Sequence, residues 1–265
     1  MKRTLAGLAL LAASLALDAS AVGRMADISI FDRSTGRELP VHWHEGKPYV
    51  VGRPGNEYQV VVRSRSGEDL LTVMSVDGVN VVTGETANPR QAGYVLSPWQ
   101  ETRIAGWRKS MAETAAFYFT SLPDSYAART GRPDNVGVIG VAIFQRMIPP
   151  YQPPTPYSQN APWERDDAAR NERHDAPAAA GSAARESSAM KRVQPGAPLG
   201  TGHGRRESSP THQVDFERRT HEPVETIAIY YDSYRNLVAQ GVLSAPSAMR
   251  NPNPFPTRFV PDSPR

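Results

Sequence analysis

The sequence predicts an all-β fold, an antiparallel β-sandwich of jelly-roll-like type with roughly eight or more strands, the size such sandwiches usually have. Three observations carry this expectation. Short apolar runs recur over residues 26–148 and are cut by turn residues at close intervals. Asp77-Gly78 separates two of these runs and is a strong signal for a two-residue hairpin. The chain has 0 Cys, so an ordinary hydrophobic core has to hold the domain without disulfide staples.

The runs read in order as follows. Ile28 and Ile30 open the series, and residues 58–63 alternate in part. Residues 70–76 are apolar on both faces except at Thr72 and Ser75, and 79–82 follow the Asp-Gly turn. Residues 93–96 stop before Pro98. Strict alternation over 102–107 places Ile104 on one face and Ala105 and Trp107 on the other. Residues 115–120 put Phe117 and Phe119 on one face, while 110–116 would also suit a helical turn. Residues 136–144 are the most apolar run and read as a central strand.

Beyond residue 148 the composition changes. Residues 149–156 hold five prolines in eight positions and are expected to be extended. From there to 212 large aliphatic residues are scarce among Ala, Arg, Asp, Glu, Ser and Gly. Such a stretch cannot bury enough surface to offset its ordering entropy, so 149–212 is expected to be a disordered insert. Residues 224–231 then predict a strand with Ile227, Ile229 and Tyr231 on one face. An isolated hairpin is marginal in water, so 213–245 is expected to complete the sheet built by 22–148. Residues 246–265 are rich in Pro and are expected to fray.

The N-terminus predicts export. Lys2 and Arg3 precede an apolar stretch over 5–17, and Ala19-Ser20-Ala21 supplies small residues where a signal peptidase reads. Residues 1–21 are therefore expected to be a signal peptide, cut between Ala21 and Val22. The apolar stretch is shorter than the about 20 residues of a spanning helix, and no longer one follows. The mature chain is expected in the periplasm or outside the cell, without a membrane span. With no cysteine, lipid attachment and thiolate metal sites are closed. The formal charge of +3 is too small to suggest nucleic acid as a partner.

Few residues suggest chemistry. His42-Trp43-His44 sets two imidazoles on one face of an extended segment, a weak start for a metal site that lacks a third ligand. Residues 200–206, Gly-Thr-Gly-His-Gly-Arg-Arg, lack the strand and the Gly-Lys-Ser/Thr ending of a phosphate loop and read as a flexible basic loop. No Gly-x-Ser-x-Gly or His-Glu-x-x-His occurs. Asp77 reads as a turn residue. Residues 121–135 form a long connection between two apolar strands. It carries Tyr126 and Arg129, with Trp107 and Arg108 one strand earlier, and these four are the candidate ligand-binding residues. The competing expectation is that Trp107 and Tyr126 fill the core.

Three blocks, Ser75-Val-Asp-Gly-Val-Asn-Val-Val-Thr-Gly-Glu85, Gly106-Trp-Arg-Lys-Ser110 and Asp124-Ser-Tyr-Ala-Ala-Arg-Thr-Gly131, resemble those of a family of uncharacterised exported proteins of Gram-negative bacteria. The resemblance implies an envelope location and transfers no activity, cofactor or site. The leading expectation is thus a non-enzymatic binding module, needing no cofactor, whose partner is an envelope protein or glycan. The alternatives are an envelope hydrolase with a cross-strand carboxylate pair or a histidine metal site, and an assembly protein that uses the insert.

Overall fold

The computed structural model describes residues 21–148 and 196–245. In chain order the strands are β1 (Ala21–Val22), β2 (Ala26–Asp32), β3 (Arg37–Glu38), β4 (His42–His44), β5 (Lys47–Val51), β6 (Glu57–Ser64), β7 (Leu70–Val76), β8 (Val79–Asn80), β9 (Tyr94–Leu96), β10 (Glu101–Ile104), β11 (Gly106–Arg108) and β12 (Glu113–Ser121). A short helix α1 (Tyr126–Arg129) leads to β13 (Val138–Gln145). Then come β14 (Leu199–Ser208), β15 (Glu225–Asp232) and helix α2 (Tyr234–Ala239).

The strands form two sheets. The first runs β1-β2-β6-β12-β11, with β3 on β2, β10 on β6 and β14 on β12. The second runs β4-β5-β15-β13-β7-β8, with β9 on β7. The all-β sandwich is the predicted class, with one departure from a purely antiparallel pattern: β5 and β15 run parallel. The two inner faces meet in one core. Ile28, Ile30, Tyr58, Val60, Phe117 and Phe119 of the first sheet pack with Met74, Ile139, Val141, Ile227, Ile229 and Tyr231 of the second.

β7 and β13 are buried on both faces, which explains their unbroken apolar runs. Leu71, Val73, Ala142 and Phe144 point away from the main core and are covered by Phe216. The segment after β14 is held there by Met147 N–H donating to Glu217 O at 2.8 Å and Arg219 N–H to Gln145 O at 2.9 Å. The Arg218 guanidinium lies 4.2 Å from the Phe144 ring centroid and donates to the carbonyls of Pro89 and Gln91.

Four expectations are corrected. The stretch read as disorder ends earlier than residue 212, because 199–208 form β14 along the whole of β12. Its low hydrophobicity has a packing cause. A Cβ on Gly204 would lie 2.7 Å from the Ala116 backbone oxygen and one on Gly202 would lie 2.2 Å from the Tyr118 ring, so these glycines let the strand approach its partner. The flexible basic loop read at 200–206 is therefore a paired strand. Second, β10 ends at Ile104 and β11 begins at Gly106, and the break at Ala105 turns both Ile104 and Trp107 into one core. Third, the helical turn offered for 110–116 gives way to β12, which starts at Glu113. Fourth, the stretch 213–245 expected to complete the sheet is not strand to its end: after β15 it forms α2, capped by Ser233, whose Oγ accepts from Asn236 N–H at 3.3 Å. The residues read as a signal peptide, most of those read as the insert and the C-terminal tail lie outside the described residues. Ala21 and Val22, the expected cleavage pair, pair with Ser29 and Ile28.

As expected, the chain returns to finish the domain, and it does so in both sheets. β14 lies on β12 in one sheet and β15 on β13 and β5 in the other. Truncation after Ile148 removes both strands and opens the core on two sides. The truncated chain should lose its cooperative thermal transition, read by circular dichroism; a transition like that of the full chain would refute this.

Candidate functional site

Between the sheets a chain of polar groups crosses the core. Asp77 stands in the turn between β7 and β8, in the left-handed region at φ 53°, and is fully buried. One carboxylate oxygen, Oδ1, accepts from the Tyr231 hydroxyl and from Gly137 N–H at 2.9 Å. The other, Oδ2, accepts from Thr201 N–H at 2.7 Å. Since the Tyr231 proton is committed to Asp77, Thr201 Oγ1 must donate to the Tyr231 oxygen, 2.7 Å away. Tyr58 must then donate to Thr201 Oγ1 at 2.6 Å. The hydroxyls thus point one way, towards the charge, and none is left without an acceptor.

Burial raises the Asp77 carboxyl from 3.8 to about 6, against the pull of its hydrogen-bond donors. Burial and the nearby Asp77 charge push Tyr58 and Tyr231 well above 10, which keeps them protonated donors. A carboxyl with raised proton affinity is often catalytic. Here no substrate could reach it, because Asp77, Tyr58 and Thr201 are all fully buried. The group is structural, and reading Asp77 as a turn residue alone missed it.

The four ligand-binding candidates do not form the open patch expected of them. Trp107 is 3% exposed, stacks edge-on against Phe117 and donates through its indole N–H to Gly202 O. Arg108 is tied to the Tyr94 hydroxyl and to Ser209 O. Tyr126 leans on Trp107 at 4.8 Å, and Arg129 alone of the four is exposed. As a joint surface of Trp107 and the arginines the predicted site is withdrawn: its indole is core.

The His-Trp-His triplet lies on β4, in a hairpin with β5. Glu45 and Gly46 form its turn, both at positive φ, 49° and 73°. Glu45 lies 3.9 Å from His44, but no group of three or more metal-ligating side chains forms among the described residues. The neighbour between the imidazoles matters more. Trp43 is 56% exposed and borders an open cleft of about 390 Å³. Arg24 from the connection between β1 and β2 and Lys47 from the hairpin line the same cleft, with Glu225, Ala228 and Tyr230 of β15. The Lys47 ammonium sits 5.7 Å from the Tyr230 ring centroid, and Tyr49 packs on the same ring at 5.4 Å.

Two features make the cleft receptive. First, β5 meets β15 at Tyr230, Tyr231 and Asp232 only, so the edge of β15 before them has no strand beside it among the described residues. Second, its charge is unbalanced. Glu225 is spent on the backbone, accepting from Arg24 N–H at 2.8 Å and Met25 N–H at 2.6 Å. The Arg24 and Lys47 side chains form no ion pair among the described residues. Sequence reading weighed the triplet for its histidines and passed over the tryptophan. The signal it passed over was the Glu-Gly turn between 42–44 and 47–51.

Comparison with protein-family models, with curated proteins and with solved structures finds no match to this chain. The site therefore rests on its own geometry.

Asp77 gives the fold a definite pH dependence. Its folded value exceeds the unfolded one, so its contribution is fully present below pH 3.8 and is lost as pH rises through about 6. The shift corresponds to about 3 kcal/mol. The unfolding free energy of the native chain, less that of Asp77→Asn, should be larger at pH 4 than at pH 7 by about 2 kcal/mol, most of the full shift, measured in urea. A difference that is the same at both pH values would contradict the assignment.

Proposed function

We propose that this chain is an exported, non-enzymatic binding module of the bacterial envelope. Its cleft takes a short acidic peptide segment in extended conformation. The observation that carries this reading is the edge of β15 with no strand beside it among the described residues, lying beside exposed Trp43 and two cations, Arg24 and Lys47, that form no ion pair among those residues. An extended segment would gain main-chain hydrogen bonds along that edge, the mode of strand addition. Trp43 and Tyr230 offer rigid apolar surface at small entropic cost. Acidic side chains would meet the two cations, in a cleft whose one acid, Glu225, is already saturated by backbone donors. The expected export signal supports the envelope part of the reading, and the want of an accessible catalytic constellation among the described residues supports the non-enzymatic part.

The test is a titration of the full chain with short Asp- and Glu-rich peptides, followed by tryptophan emission. A saturable change is expected, absent in Trp43→Phe. Lys47→Glu should weaken binding about tenfold, since one close ion pair in a partly buried setting is worth about 1–2 kcal/mol. Binding that ignores both substitutions, or binding of peptidoglycan glycan strands in place of peptides, would overturn the reading.

A further inference from the structure

The cleft beside β15 is short, and one end of it is stopped. Tyr231 N–H donates to Gly137 O at 2.9 Å, just before β13, and the register of β15 on β13 is unbroken from Glu225 to Tyr230. Peptide groups alternate along a strand. Thr226 and Ala228 therefore turn theirs the other way, towards the cleft that both residues line. β5 takes up this edge from Tyr230 onwards. At the other end the Glu225 carboxylate holds the β1–β2 connection, accepting from Arg24 and Met25 N–H. The edge without a strand beside it runs from Glu225 to Ile229, roughly 17 Å of backbone.

The charges that line the cleft differ between its ends. Arg24 and Glu225 stand together at one end, a cation beside an acid. Lys47 stands at the end where β5 begins, its ammonium 5.7 Å from the Tyr230 ring centroid, and among the described residues no acid lines the cleft there. Glu45 of the same hairpin lies 3.9 Å from His44 and outside the cleft lining. The two ends lie farther apart than the screening length of about 8 Å at physiological salt, so each acts on its own. A segment running on past Lys47 would have to turn out of the sheet where β5 occupies the edge. A chain end needs no exit. Its terminal carboxylate would meet Lys47, and the rest of the chain would leave past Arg24 and Glu225, where charge is balanced. An amino terminus at Lys47 would set two cations together. The carboxylate at Lys47 makes the bound chain parallel to β15, the direction in which β5 continues the same edge. Trp43 lies opposite Pro48 in the hairpin, so its exposed indole flanks this end.

We propose, resting on the peptide reading of the cleft, that it selects the free C-terminus of a polypeptide. The last residues lie parallel to β15, bonded to Thr226 and Ala228, with the terminal carboxylate on Lys47 and the last side chain on Trp43.

Three forms of one acidic peptide, acetyl-Gly-Asp-Glu-Ala-Val, are titrated into the full chain and followed by tryptophan emission. They are the free acid, its C-terminal amide, and the acid extended by two glycines, which keeps the net charge and moves the carboxylate. The free acid should bind about tenfold more tightly than either other form, the worth of one charge-assisted contact. Lys47→Met should bring the three forms level, whereas Arg24→Met should weaken all three alike; both side chains are exposed, so neither change disturbs the core. A nitroxide on the N-terminus of the free acid should broaden the Arg24 amide signal more strongly than that of His44. Equal binding of the three forms to the native chain, lost in Trp43→Phe, would overturn the choice of a chain end and leave the peptide reading standing. Stronger broadening at His44 than at Arg24 would overturn the parallel placement. Failure of every form to bind would overturn the peptide reading and the C-terminal selection with it.

Discussion

A carboxylate with no access to water needs donors on both oxygens, and Asp77 finds them on three different parts of the chain. They are β15 through Tyr231, β14 through Thr201, and the turn before β13 through Gly137. An uncompensated buried charge costs several kcal/mol. The arrangement is therefore demanding: each donor has to arrive together with its strand. Thr201 is central, since its N–H reaches Asp77 while its hydroxyl passes the hydrogen-bond chain from Tyr58 to Tyr231. Tyr58 and Thr201 lie in the first sheet, and Asp77 and Tyr231 at the second, so the chain links the two inner faces. Apolar packing gives the sandwich its stability. Directional bonds of this kind define which strand positions face each other.

The same constraint accounts for the way the chain is divided. β14 and β15 come from one stretch but enter different sheets, and both bring a partner for Asp77. Asp232 repeats the device next to α2. It accepts from Leu199 N–H at 3.2 Å, Ser233 N–H at 2.7 Å and the Asn236 side chain at 2.8 Å, which ties the start of β14 to the end of β15. The C-terminal stretch is thus anchored at one end of the sandwich by two acids. This leaves the far end of β15, near Glu225, with no strand beside its edge among the described residues.

Much of the fold was legible because apolar side chains repeat with the strand period. Phe117 with Phe119, and Ile227, Ile229 with Tyr231, share a face as their spacing requires. The doubly buried run in β13 is as continuous as its burial demands. β14 was illegible for a physical reason. Its alternating glycines are there to admit Tyr118, Ser125 and Val136 from its neighbours, and composition alone cannot tell a glycine needed for close approach from one that confers freedom. The polar chain was illegible too, because its four members are far apart in sequence and each has an ordinary local role. The cleft was half legible: the His-Trp-His triplet drew notice, yet the histidines were weighed for a metal while the exposed indole borders the cleft.

The β15 edge proposed as a binding surface depends on this frame, since β15 and β14 meet at Asp77. The central claim, that Tyr58, Thr201, Tyr231 and Asp77 act as one connected unit, is tested most directly by a double-mutant cycle on Tyr58→Phe and Tyr231→Phe in urea unfolding. Their hydroxyls meet only through Thr201. A connected unit predicts a coupling energy of about 1 kcal/mol or more, whereas additivity within about 0.3–0.5 kcal/mol would contradict it.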